Sequence, residues 1–210
     1  MSELPQWTPG TRLNSAYNIE RQLQEYGHQT WGFIIYRCTY GSDDDWNKFM
    51  ELLQYRIRNS LEFYDTVDMM DSFSLTVVED QSTFDDASTS SVREHFKQWA
   101  ATAPDSEQGE GIGPGQSPRY GYCIQVDDGA LESIMEDEND GYINLIQKDW
   151  EPDTAGAREP AEEPIEDCTL HDIGWMFVDY RFVMVEMYDL LDGLYNWYRE
   201  YRRPPVVVRA

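Results

Sequence analysis

The chain has 210 residues, of which 40% are apolar and 14% aromatic, enough for one globular domain with a substantial core. Its 40 acidic against 16 basic side chains give a formal charge of −24, which argues against binding nucleic acid through its phosphates or docking on an anionic membrane, and makes a basic protein the natural partner. No apolar run approaches the ~20 residues of a membrane span, and the opening MSELPQWTPG lacks the basic-then-apolar form of a signal peptide, so a cytoplasmic location is expected, with the nucleus also open.

Residues 1–30 form an N-terminal arm in this reading, with two prolines and no period up to residue 18 and a short helical turn over 19–27. The run from Trp31 to Tyr40, closed by Gly41, is the pattern of a central strand buried on both faces. Ser42-Asp43-Asp44-Asp45 then offers capping oxygens and negative charge to a helix over 43–63, whose stripe is Trp46, Phe49, Leu53, Ile57, Leu61 and Tyr64. Alternating Phe73, Leu75 and Val77 predict a strand over 72–79. Ser91 and Glu94 make a capping box for a helix over 91–100 that carries Val92, Phe96 and Trp99. Residues 101–118 have the Gly, Pro and polar content of a mobile loop tolerant of insertion. Strand signal returns at 119–126, Asp127-Asp128-Gly129 opens a short helix with Leu131, Ile134 and Met135, and a strand follows over 142–150.

In order, residues 31–150 read β-α-β, an inserted helix, then β-α-β. That is an α+β core of ferredoxin-like type, a two-layer sandwich of split β-α-β units, with a differently ordered α+β sheet as the alternative. Residues 151–169 are acidic and proline-rich, like a solvated linker. The 170–210 extension predicts a strand at 174–180 and a helix from Val183 through Met187, Leu190, Leu194, Trp197 and Tyr201, which Gly193 splits and Pro204-Pro205 ends. Its apolar load needs cover, on the core or in a homodimer.

The succession WGFIIYRCTY, a helix beginning DDDW, then VREHFKQW, YGYCIQVDD, GYINLIQKDWEP and CTLHDIGWMFV resembles a family of uncharacterised acidic intracellular proteins of filamentous fungi, over residues 31–205. The resemblance implies an intracellular fungal origin and carries over no catalytic residue.

Nothing along the chain rises to a catalytic or cofactor signature. Residues 136–147, EDENDGYINLIQ, align with a calcium loop at Glu138, Asp140, Gly141 and Ile143. Glu136 and Gln147 stand where the first and last ligands belong, so the stretch reads as an acidic turn before a strand and no metal is expected. The glycines at 109, 111, 113 and 115 lack the lysine and hydroxyl of a phosphate cradle, His28, His95 and His171 are isolated, and no G-x-S-x-G elbow exists. Cys38, Cys123 and Cys168 are odd in number and far apart, as suits buried reduced thiols. No cofactor is expected. Two functions stay open: a noncatalytic interaction module whose acidic loops steer a basic partner, or a small enzyme or ligand-binding protein with a pocket between sheet and helices. For the second, Tyr36, Tyr40, Tyr122, His171 and Trp175 are the first candidates.

Overall fold

A computed structural model describes residues 14–152, 162–193 and 196–209. The chain is an α+β protein built on one mixed six-stranded sheet. Helix α1 (Ser15–Tyr26) precedes β1 (Ile34–Arg37), α2 (Asp43–Phe63), a 3₁₀ turn at Val67–Asp71 and β2 (Thr76–Val78). Next come α3 (Gln81–Phe84), α4 (Thr89–Ala100), α5 (Ala103–Glu107), α6 (Pro118–Gly121), β3 (Tyr122–Val126), α7 (Asp128–Glu136) and β4 (Tyr142–Gln147). The C-terminal part adds β5 (Trp175–Asp179), a π-helical turn at Val183–Met187, α8 (Tyr188–Leu190), α9 (Asn196–Glu200) and β6 (Val207–Val208).

Sequence and structure agree most closely at α2, and β1 occupies the middle of the expected 31–40 run. Four consecutive residues of β1 are fully buried because successive side chains enter opposite cores, Ile35 one and Ile34 and Tyr36 the other. Helix α2 begins at Ser42, whose hydroxyl accepts from the Asp45 amide (3.2 Å), and it buries Trp46, Phe49, Leu53, Ile57 and Leu61 along one stripe.

The strand order, β2-β1-β3-β4-β5-β6, is not that of split β-α-β units. A further strand would separate β1 from β2 in that arrangement, whereas here Ile34, Ile35 and Tyr36 pair directly and in parallel with Thr76, Val77 and Val78. Strand β3 joins the other side of β1 in parallel, β4 and β5 follow antiparallel, and β6 lies parallel to β5. Nor are there only two layers. One face of the sheet (Ile35, Ile124, Val126, Ile143, Leu145, Met176, Val178) packs with α1, α2, α7 and residues 183–191, and the other (Ile34, Tyr36, Cys123, Ile146, Trp175) with Phe84, Val92, Phe96 and Ala103. Periodicity predicts strands, but which strands become neighbours is a nonlocal choice that the periodicity of a single strand does not encode.

Other boundaries move for local reasons. The cap of α4 is Ser88, which accepts from the Ser91 amide (3.3 Å), so the helix starts before the Ser91–Glu94 box. The 101–118 stretch, expected as a mobile loop, contains α5 and runs into α6 at Pro118, and its Glu107 and Gln108 are used internally. Gln108, 1% exposed, accepts from the Gln29 amide (2.6 Å) and donates to the Tyr120 hydroxyl (2.6 Å). Glu107 meets the guanidinium of Arg119, which is 0% exposed, at 2.8 and 2.6 Å. Residues 1–13 of the arm and 153–161 of the linker lie outside the described residues. The rest of the linker closes an antiparallel bridge between Ile165 and Cys168, and the rest of the arm is largely α1. In the extension the split at Gly193 (φ +114) is present, between α8 and α9.

Arg119 also donates to the Gly32 carbonyl (2.6 Å) and to Thr76 Oγ1 (3.0 Å), and its guanidinium lies 5.6 Å from the Trp99 ring centre. Gly32 has φ +106, and a Cβ there would meet the Phe73 ring at 2.6 Å, so only glycine offers this carbonyl without displacing its neighbours. Helix α1 packs along residues 183–190 through a polar seam, which adjoins this cluster through Tyr188, whose hydroxyl lies 3.1 Å from Ser117 Oγ. Asn18 and Gln22 donate to Asp189 (3.0 and 3.2 Å) and Tyr26 donates to Asp192 (2.9 Å). Burial pushes the carboxyls of Glu186, Asp189 and Asp192 above their ordinary values, and Glu186 Oε2 has no hydrogen-bond partner.

Two outcomes follow. Replacing Arg119 by Met strands a partly buried Glu107 and two acceptors, and should cost about 3–5 kcal/mol in urea unfolding, with part recovered in Arg119→Met/Glu107→Leu; a cost below about 1 kcal/mol would make the ion pair dispensable. For the seam, raised folded-state pKa values mean that the native state holds more protons than the unfolded one just above the ordinary carboxylate range. The stabilising contribution is therefore complete below that range and lost as pH rises through the folded values. Glu186→Gln should raise stability more at pH about 8 than at pH about 5, and equal effects at both would contradict the assignment.

Candidate functional site

Because β2, β1 and β3 are parallel, their C-terminal ends open on one edge of the sheet, and each runs into an acidic helix start. After β1, Asp43, Asp44 and Asp45 occupy the first turn of α2, with Asp43 and Asp44 exposed. After β2 come exposed Glu79 and Asp80. Asp80 caps α3, taking the Ser82 amide (3.1 Å) and the hydroxyls of Ser82 (2.7 Å) and Thr83 (2.8 Å), which hold its carboxyl below the usual range. After β3, Asp127 caps α7 by accepting from the Ala130 amide (2.8 Å), and Asp128 accepts from the Thr39 hydroxyl of the β1 loop. Anions at helix N-termini face partly positive amides, which is why acidic residues suit these positions. The chain from β1 runs to one face of the sheet through α2, and the chain reaching β3 comes from the other face through α4. Such a change of side between neighbouring parallel strands leaves a crevice at their C-terminal ends.

Arg37, at the end of β1, is the cation inside this rim, with a side chain 8% exposed. It donates to the Thr39 carbonyl (2.9 Å) and to Asp43 (2.5 Å), faces Glu79 at 3.9 Å, and lies over Tyr40 and Trp46 with 4.5 and 5.0 Å to their ring centres. Its charge is thus already engaged within the protein, and the outer carboxylates stay open to solvent. Beside Asp127 the sheet carries a row of polar side chains on one face: Gln125 of β3 pairs across the ladder with Asn144 of β4, which pairs with Phe177 of β5. The Tyr142 and Phe177 rings, both half-buried, lie 4.1 Å apart at their centres.

The five residues expected to line a pocket are distributed over the fold. Tyr36 is fully buried, and its hydroxyl meets His95 Nδ1 at 2.9 Å beside Phe84. Tyr40 lies under Arg37. Tyr122 and His171 belong to one aromatic series, since Tyr122 stacks on Trp197, Trp197 on Tyr201, and Tyr201 contacts His171. Trp175 lines an open cleft of about 300 Å³ with Arg93, Trp150, Glu166 and Cys168. There Glu166 accepts from the Thr89 amide (3.3 Å) and hydroxyl (2.5 Å) at the start of α4, and Arg93 lies 5.0 Å from the Trp150 ring centre. Another open hollow of about 660 Å³ is lined by Lys97, Pro104, Gly113, Lys148 and Asp149. In the calcium-like stretch, Asp140 pairs with Arg209 and Asp137 accepts from the Asn139 amide (2.8 Å). Burial pushes the Cys38 thiol up to about 12 and Cys123 well above its ordinary value, so both remain uncharged.

Arg37, Asn144 and Arg119 are the residues that the linear reading passes over. Arg37 and Asn144 are visible as polar interruptions of strongly apolar strands, which is the one sequence signal that could have marked them. Comparison of the chain with protein-family models, curated proteins and solved structures returns no match.

Proposed function

We propose that the protein is a noncatalytic interaction module that docks a basic segment of a partner protein along the acidic edge where β1, β2 and β3 end. One observation carries this reading: three successive parallel strands deliver acidic residues 43–45, 79–80 and 127–128 to a single rim, with Asp43, Asp44, Glu79, Asp80 and Asp128 exposed and Asp45 and Asp127 half-buried, while the rim's own cation, Arg37, is buried and paired. Carboxylates converging over a low-dielectric edge focus the field of a chain of charge −24 and steer a cationic partner toward it. Three described hollows offer a ligand surface, and none of them is lined by the carboxylates of this rim; the Trp175 cleft, with Thr89, Glu166, Arg93 and Cys168, is the place where the alternative of a small-ligand site would lie. Within this reading the protein works inside the cell, where its three thiols stay reduced.

An octalysine peptide should bind, and its affinity by calorimetry should fall steeply as ionic strength rises from about 0.05 M to about 0.5 M. Asp43→Asn/Asp44→Asn/Asp45→Asn should weaken binding by about 1–2 kcal/mol, roughly five- to thirty-fold, as expected for removing three negative charges from the rim, one of which also balances Arg37. Affinity indifferent to both salt and these substitutions would reject the acidic edge as the docking face.

A further inference from the structure

The amides beneath this rim are fixed in series. Gln125 Nε2 donates to the Ala87 carbonyl (2.6 Å), which turns Gln125 Oε1 toward Asn144. Asn144 Nδ2 is then held by two acceptors, Asp127 Oδ2 at 2.7 Å and Gln125 Oε1 at 3.5 Å. Turning the Asn144 amide over would set its oxygen against the Asp127 carboxylate, so its orientation is determined. Asn144 Oδ1 is consequently left buried without a hydrogen-bond partner, in a side chain only 1% exposed. An acceptor in that condition is destabilising, and a donor brought by a ligand would satisfy it. Tyr142, two residues away on the same strand, and Phe177, the direct partner of Asn144 across the ladder, lie beside it with their rings in contact, 4.1 Å between centres. Burial, and then the charges of Asp127 and Glu132, raise the Tyr142 phenol above its ordinary value, which places its ring among carboxylates.

Resting on the docking reading above, we infer that this notch takes the ammonium of one lysine of the basic partner, held between the Asp127 carboxylate, Asn144 Oδ1 and the Tyr142 and Phe177 rings. An ammonium brings three donors and a compact charge, and aromatic faces attract it. A guanidinium gains most from two free oxygens of one carboxylate side by side. Those of Asp127 are engaged with the Ala130 amide and the Asn144 amide, so lysine is preferred over arginine. The ammonium reaches Oδ1 as the half-exposed Tyr142 ring turns aside.

Butylammonium chloride, which presents the lysine head alone, tests this on the full-length ¹⁵N-labelled protein. Expected are saturable shifts of the Asn144 side-chain amide and the Tyr142 ring beyond those of sodium chloride at equal ionic strength, and weaker saturation by butylguanidinium. Asp127→Asn, which keeps a capping oxygen for α7, should weaken saturation about tenfold, and Asn144→Leu should remove it. If Asn144→Leu does not fold, Asp127→Asn alone decides. Shifts no larger than those of sodium chloride would mean that an internal water satisfies Oδ1 and would overturn the inference, as would equal saturation by butylguanidinium. Should butylammonium fail while octalysine still binds in a salt-dependent manner, the notch falls and the docking edge stands. Failure of both removes both.

Discussion

The guanidinium of Arg119 is the constraint on which the rest of the molecule depends. It sits three residues before β3, donates to the Gly32 carbonyl two residues before β1, and donates to Thr76, the first residue of β2. One buried cation therefore fixes the starts of all three parallel strands, with Glu107 of α5 neutralising it and Trp99 of α4 covering it. A buried ion pair is a poor source of net stability, because desolvation offsets most of the attraction. What it adds is a set of acceptors, the Gly32 carbonyl and the Thr76 hydroxyl, that come together only when β1, β2 and β3 start side by side. Once three starts are aligned, three ends are aligned as well, and the acidic loops that follow them have to share an edge.

That edge is where structure turns into chemistry. Each loop solves a local problem, satisfying free amides at a helix start with a carboxylate or hydroxyl, and each adds negative charge in doing so. Parallel strands sum these local solutions on one side, whereas antiparallel ones would distribute them over two. Arg37 keeps the accumulation from repelling itself apart, since it bridges the β1 and β2 loops from within while the outer carboxylates stay hydrated. Beneath the rim, the polar row of Gln125 and Asn144 interrupts an otherwise apolar face and leaves one acceptor unmet.

Local physics made part of this legible in the sequence. The apolar run of β1, the cap and stripe of α2, and the break at Gly193 are decided by neighbours within a few residues, and they stand where the residues place them. Strand order was not legible, because Thr76–Val78 could pair with any exposed strand edge and only long-range clamps such as Arg119 choose. The 101–118 stretch misled for a related reason: Glu107 and Gln108 look like solvated polar residues until their partners, 12 to 79 positions away, are known. Of the site, the acidic helix starts were visible one by one, and their convergence was not.

The central claim is that parallel alignment gathers one acidic docking edge, and mapping octalysine on the ¹⁵N-labelled protein tests it most directly. The account places the largest amide shifts at residues 39–45, 79–80, 127–129 and 142–144, all in one titration with a common affinity. Shifts concentrated instead around the Trp175 cleft at residues 88–93 and 165–175, or spread evenly over all acidic segments, would contradict it.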